Sequence, residues 1–166
     1  GSGTPTLGAV YRLSSGDGTD LKKYLKTLSE RSFLSANARS AFANMLSQAD
    51  ETFASILGTF KEPLNPWINP VLDKATSCND FLLTDVRKKK MTIYIGIQPN
   101  KLAESRLIIN LFFSQLINLN TKELPKSNPD LKYQCLLLMD EFTSIGKVEI
   151  IASAVSYMAG YNIRLL

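Results

Sequence analysis

The stretch CLLLMDEF, Cys135 to Phe142, decides how this chain folds. Its apolar residues run without interruption into two adjacent carboxylates, Asp140 and Glu141. A short continuous apolar run reads as a strand buried on both faces, the kind that builds a parallel sheet. The two acids then fall where that strand leaves the sheet.

Downstream of the acids, Val148, Ile151, Ala152, Val155 and Met158 recur at helical spacing. Gly160 is placed to close that helix, and a further apolar strand runs to Leu166. Upstream, Met91 to Ile97 is rich in β-branched and aromatic residues and short enough for another buried strand. Gln98-Pro99-Asn100 breaks it. Leu107, Ile108, Leu111, Phe112, Leu116 and Ile117 then mark a helix over 101–119, and a polar connection with Pro125 and Pro129 leads to the strand over 134–139. Strand, helix, strand, helix, strand predicts an α/β fold, a parallel sheet with flanking helices.

The first 61 residues read differently, as an all-α segment. Thr4-Pro5 has the form of a cap followed by proline at the first helical position, and the turn-rich stretch from Ser14 to Gly18 ends that element. Leu21, Tyr24, Leu25 and Leu28 give a second helix. Ala38, Phe42, Met45, Leu46, Ala49, Phe53, Ile56 and Leu57 share one face of a long third helix that Gly58 is placed to terminate. Pro63, Pro66 and Pro70 in FKEPLNPWINP then disfavour helix and mark the boundary between segments 1–61 and 62–166. Trp67 among the prolines reads as an anchor against a core.

Composition narrows the chemistry. The 166 residues are 45% hydrophobic and 20% charged, enough for a globular core, and the net charge of +4 is spread along the chain apart from Arg87 to Lys90. That distribution is too diffuse for a nucleic-acid footprint, and the basic run reads as a solvated strand start. Histidine is absent, which removes Ser-His-Asp and Cys-His catalysis and histidine metal ligation. Two distant cysteines, Cys78 and Cys135, suggest neither a disulfide framework nor a zinc site, and fit a reducing compartment. No apolar run reaches the roughly 18 residues of a membrane span. Gly1-Ser2-Gly3 reads as a cloning remnant, and the chain stops inside an apolar strand, so the sequence reads as a fragment.

Parallel strands place their carboxyl ends along one edge, where open α/β sheets bind ligands, so Gln98, Asp140 and Glu141 are expected along that edge. A buried strand delivering Asp-Glu is the Walker B pattern of nucleotide hydrolases. Asp140 is then the Mg²⁺ position, Gln98 and Asp140 line the nucleotide site, and Glu141 polarises the water that attacks a γ-phosphate. A phosphate loop, G-x-x-x-x-G-K-[ST], is missing: the one Gly-Lys, Gly146-Lys147, follows the acids and precedes Val148. The same acids also fit the positive start of the next helix or a solvated strand end.

TLGAVYRL, NARSAFANML, GTFKEPLNPW, RKKKMTIYIGIQPNKL and CLLLMDEFTSIGKVEIIASAVSYMAGYNIRLL together resemble the cytoplasmic part of the TraG-type coupling proteins of bacterial type IV secretion systems. The resemblance covers nearly everything from Pro5 onward. It implies a membrane-anchored ATPase at the cytoplasmic face of the inner membrane, with a RecA-like core that assembles into a homo-hexamer. It also implies an all-α domain inserted in that core, which recognises a relaxase–DNA complex or secreted effector proteins, beside other secretion components as partners. Residues 1–61 would be the later part of that all-α domain, and 62–166 part of the core. Asp140 matches the Walker B magnesium position and Glu141 the hydrolytic carboxylate. ATP and Mg²⁺ would belong to the parent protein. No tight cofactor binding and no hydrolysis are expected of these residues alone. A truncated sheet would also invite artefactual self-association. Two other readings stand beside this one: a non-catalytic helical module that docks secretion cargo, and a magnesium-dependent phosphohydrolase built on Asp140 and Glu141 without a phosphate loop.

Overall fold

A computed structural model describes residues 5–16, 18–140 and 148–166. The chain divides into two compact units, Gly1–Asn79 and Asp80–Leu166.

In the first unit, α1 (Leu7–Ser15) is capped by Thr6, whose hydroxyl accepts the Ala9 N–H at 3.1 Å. The cap therefore lies one residue beyond Pro5, because the Thr6 oxygen is the one that reaches a free first-turn amide. Gly16 ends α1 at φ 77°, a left-handed conformation that favours glycine. Asp20 caps α2 (Leu21–Ser29), and Leu25 and Leu28 of that helix are buried against Phe53.

The long helix expected over 38–57 is two helices, α3 (Ala36–Leu46) and α4 (Asp50–Lys61). The apolar stripe is continuous, but the backbone turns at 47–49, where Ala49 is extended at ψ 152°. The Ser47 hydroxyl and the Gln48 amide both donate to the Asn44 carbonyl, at 2.9 and 3.0 Å, in place of a continuing helix. Lys22 braces the break, its ammonium 2.8 Å from the Gln48 carbonyl and 2.7 Å from the Asp50 carboxylate. That hydrogen bond and charge hold the Asp50 carboxyl below the ordinary carboxylate range. Asp50 and Glu51 in the first turn of α4 suit its positive end.

Gly58 does not end α4, which continues to Lys61 and tightens into a 3₁₀ helix over Glu62–Ile68. Pro63 and Pro66 lie in those tight turns and Pro70 opens α5 (Pro70–Ala75), so the prolines shape helical turns where helix was not expected. Proline is tolerated where an amide has no helical partner to lose. Trp67 is buried, and its indole N–H donates to the Thr76 hydroxyl at 2.8 Å. The Arg12 guanidinium pairs with Asp73 of α5. Gly8 of α1 lies so close to Asp73 that a side-chain carbon there would collide with the carboxylate.

The second unit contains 3₁₀ turns at Leu83–Arg87 and Pro99–Lys101, then α6 (Leu102–Asn120), β1 (Cys135–Leu137), α7 (Glu149–Ala154), a 3₁₀ turn at Met158–Tyr161 and β2 (Ile163–Leu165). The two strands run parallel, pairing Cys135 with Ile163, Leu136 with Arg164 and Leu137 with Leu165. Ile109, Phe113, Leu116 and Ile117 of α6 pack with Leu137, Val148, Ile151, Ala154, Met158 and Ile163 into one core. The fold is thus helix-rich with a small two-stranded parallel sheet.

Three expectations change here. Met91 to Ile97 forms no strand, since no backbone hydrogen bond joins it to any other described segment. A strand exists only where a second backbone supplies matching donors and acceptors, and β propensity cannot substitute for it. The helix after the acids stops at Ala154, leaving Val155 53% exposed, because its buried positions Val148, Ile151 and Ala154 recur every third residue. The turn into β2 is made by Asn162 at φ 57°, while Gly160 stays inside the 3₁₀ turn. Asparagine is among the few residues that tolerate this left-handed geometry.

Candidate functional site

The sheet's carboxyl edge is built by main-chain bonds. The Cys135 N–H donates to the Asn162 carbonyl at 2.8 Å, the Leu166 N–H to Leu137 at 3.0 Å, and the Met139 N–H to Leu166 at 3.1 Å. Backbone pairing thus runs two residues past β1, and Asp140 is the first residue beyond it. Leu137 is 5% exposed while Asp140 is exposed. Leu136 and Leu138 are 53% and 69% exposed, so the strand is buried on one face only and not on both as its apolar run suggested, and it delivers a carboxylate to the surface at its carboxyl end. Glu141, the expected hydrolytic acid, lies outside the described residues.

Gln98 is exposed, and its carbonyl accepts the Lys101 N–H at 2.8 Å as the 3₁₀ turn before α6 begins. It follows the run 91–97, so among the described residues no strand carries it to the edge that Asp140 occupies.

Arg87 was expected in solvent with its three lysine neighbours, and it is 1% exposed. Its Nη1 donates to the Asn120 and Glu123 carbonyls, the latter at 3.2 Å, and its own carbonyl accepts the Tyr133 N–H at 3.0 Å. A cation at the negative end of α6 is favourable, and Arg87 also fastens the segment that leads into β1. Asn120, also buried, donates its amide to the Leu83 and Leu116 carbonyls, both at 2.8 Å. Burial pulls the Arg87 pKa down, against the Cys135 and Glu123 groups that face it, and the guanidinium stays charged. The Cys135 thiol is pushed up by burial, with Arg87 opposing. The available sequence signal was a single arginine at the head of a lysine run, a guanidinium being the cation that stays charged when buried. Lys88, Lys89 and Lys90 are exposed, as the charge run implied.

An exposed carboxylate at the carboxyl end of a parallel strand has the donor chemistry for Mg²⁺, a hard cation that takes oxygen ligands and keeps several waters. Among the described residues no three His, Cys, Asp or Glu side chains gather into a metal site. The residues therefore fit one ligand of an ion held jointly with phosphates, and they include no loop that would cradle those phosphates. Among the described residues no helix is long and apolar enough to cross a membrane.

The profile of the family described as Type IV secretory system Conjugative DNA transfer matches residues 4–166. Protein VirD4 of Rhizobium radiobacter is 36% identical over 167 residues, an alignment covering 99% of this chain and 23% of that protein. Protein VirD4 of Agrobacterium fabrum is 33% identical over 99% of this chain and 24% of its own length. The conjugal transfer protein TraG of Escherichia coli is 28% identical over 131 residues, 75% of this chain and 21% of that protein. The chain thus spans under a quarter of the length of these curated relatives. With a profile match from residue 4 to residue 166, the chain belongs to the type IV secretory system family of conjugative DNA transfer, the coupling proteins.

Proposed function

We infer that this chain is part of a nucleotide-driven motor, and that the edge ending in Asp140 is the magnesium-binding half of its ATP site. The observation that carries this reading is Asp140 itself, exposed at the carboxyl end of a parallel strand whose Leu137 is buried in the core, and followed in sequence by Glu141. In this reading the second unit belongs to a RecA-like core in which the run 91–97 is a further strand and brings Gln98 to the nucleotide. The motor works as a homo-hexamer at the cytoplasmic face of the inner membrane, and its cargo is a relaxase–DNA complex or an effector protein. Bound ATP and Mg²⁺ would supply the reactive phosphate and its charge neutralisation. Asp140 holds the ion by an oxygen, and Glu141 orients and deprotonates water.

The test is conjugative transfer from cells carrying Asp140→Ala or Glu141→Gln, with protein level checked by immunoblot. Both variants should lose transfer, and ATP turnover by the purified motor should fall about 10²–10⁴-fold, the usual worth of a positioned acid or base. Normal transfer by Asp140→Ala at normal protein level would sink the reading.

A second reading rests on the first unit, whose described elements are all helical and whose α4 leaves Ile56 and Phe60 43% and 45% exposed. There the helices dock cargo without chemistry. Transfer retained by Asp140→Ala but lost by Ile56→Asp would favour it.

A further inference from the structure

Folding gathers charge that the sequence spreads along the chain. The hydrogen bonds of Arg87 do this: its Nη1 donates to the Asn120 and Glu123 carbonyls, and its own carbonyl accepts the Tyr133 N–H. Segments 82–90 and 121–134 therefore meet at the amino ends of the strands, the edge opposite Asp140. Leu124 and Lys126 share a hollow there with Gly160 and Asn162, which lead into β2. Six lysines lie on these two segments, Lys88, Lys89, Lys90, Lys122, Lys126 and Lys132, and all are exposed. The acids on them are Asp85, Glu123 and Asp130, so with Arg87 buried the exposed lysines outnumber acids by three, most of the chain's net charge of +4. Of the six, Lys89 alone forms an ion pair among the described residues, with Asp85 at 2.8 Å. Two leucines stand exposed on the same segments. Leu82 is 58% exposed and Leu124 44%.

We propose that this amino edge is a docking surface for an anionic lipid bilayer: the lysines meet headgroup phosphates, and Leu82 and Leu124 enter the interfacial layer between them. A cluster of four to eight basic residues is the size that an anionic leaflet holds, at roughly 1 kcal/mol for each lysine near the surface. The residue types favour lipid over the other polyanions. Every exposed cation here is lysine, whose long apolar stem lies along a membrane while its ammonium stays in water. Protein interfaces are depleted in lysine and enriched in arginine and aromatic residues. Nucleic acid would leave both leucines against phosphates, whereas a bilayer takes up apolar and cationic side chains together. The contact is peripheral and independent of the nucleotide reading, since Asp140 and Glu141 lie at the other end of the same strand.

The test is co-sedimentation of the 166-residue chain, without nucleotide, with vesicles of equal parts phosphatidylglycerol and phosphatidylcholine. Vesicles of phosphatidylcholine alone and a labelled oligonucleotide are the comparisons, and circular dichroism checks that each variant keeps its helix. The chain should bind the anionic vesicles, more weakly as salt rises, and leave the neutral ones in suspension. Lys126→Ala should lower partitioning about fivefold, the worth of one lysine near an anionic surface. Lys26→Ala, an exposed lysine of the first unit, should leave it unchanged. Leu124→Ser should weaken vesicle binding and have no effect on any binding of the oligonucleotide. No binding to anionic vesicles, equal binding to neutral ones, equal effects of Lys126→Ala and Lys26→Ala, or indifference to Leu124→Ser would overturn the proposal. Binding of the oligonucleotide without the vesicles would make the edge a nucleic-acid contact and equally overturn it.

Discussion

Arg87 shows how one side chain can serve several elements at once. Its guanidinium meets two carbonyls at and beyond the end of α6, and its main chain holds the segment leading into β1. Removing it strands the buried Asn120 carbonyl, while the Glu123 carbonyl lies nearer solvent, and a buried acceptor without a donor costs more than a net hydrogen bond contributes. Arg87→Ala is expected to lower unfolding free energy by about 2 kcal/mol in urea denaturation, a charged donor to a buried carbonyl offset by the guanidinium's own Nε and Nη2, which have no hydrogen-bond partner among the described residues. Arg87→Lys should recover part of the loss, and Lys88→Ala should stay within about 0.5 kcal/mol of the parent chain. Equal effects of Arg87→Ala and Lys88→Ala would contradict the role given to Arg87. At this scale the acid just beyond β1 was legible, because Asp140 follows an uninterrupted apolar run. The burial of Arg87 was not, because a four-residue charge run has no periodicity to single out its first member.

The elements divide by how much of their structure is local. Caps at Thr6, Asp20 and Ser35 act within three residues, and those helices start where the caps allow. The break between α3 and α4 depends on Lys22, more than twenty residues away, which holds the Gln48 carbonyl and Asp50 together. The α4 cap position is Ala49, which offers no side-chain acceptor. Ala49→Ser should therefore stabilise the chain by about 1 kcal/mol, the usual worth of a serine cap, with a matching rise in the denaturation midpoint. A fall in stability would mean that the 47–49 turn does not persist in solution. Periodicity likewise found α6 but not its orientation. The helix is apolar on most of its surface, and its buried set, Ile109, Phe113, Leu116, Ile117 and Asn120, differs from the stripe the spacing suggested. The run 91–97 is the converse case, strand-like in composition and unpaired in the structure.

For the whole molecule, the division at Asn79 falls inside an exposed stretch, 77–82, beyond the proline segment. The Trp67–Thr76 bond ties the proline segment to α5, and the Arg12–Asp73 pair ties α5 back to α1, so the prolines stay with the helices that precede them. Limited chymotrypsin digestion should cut first beside Phe81 and Leu82, which are 41% and 58% exposed. Two fragments that both retain helical circular dichroism are the expected products. Early cleavage beside Phe113 or Phe53, or loss of helix from both fragments, would argue against two self-contained cores.

The sequence by itself determined the order of most elements, the strand that ends in acid though not its burial, the helix over 101–119, the parallel sense of the sheet and the coupling-protein family. Each of these rests on signals carried by neighbouring residues or by a connection whose handedness and length leave few alternatives. Only the tertiary structure decided that the long apolar stripe breaks at 47–49, that Arg87 is buried beside three solvated lysines, and that Met91 to Ile97 lacks a partner. Those outcomes turn on which distant backbone or side chain lies within hydrogen-bond reach, and local spacing holds no information about that.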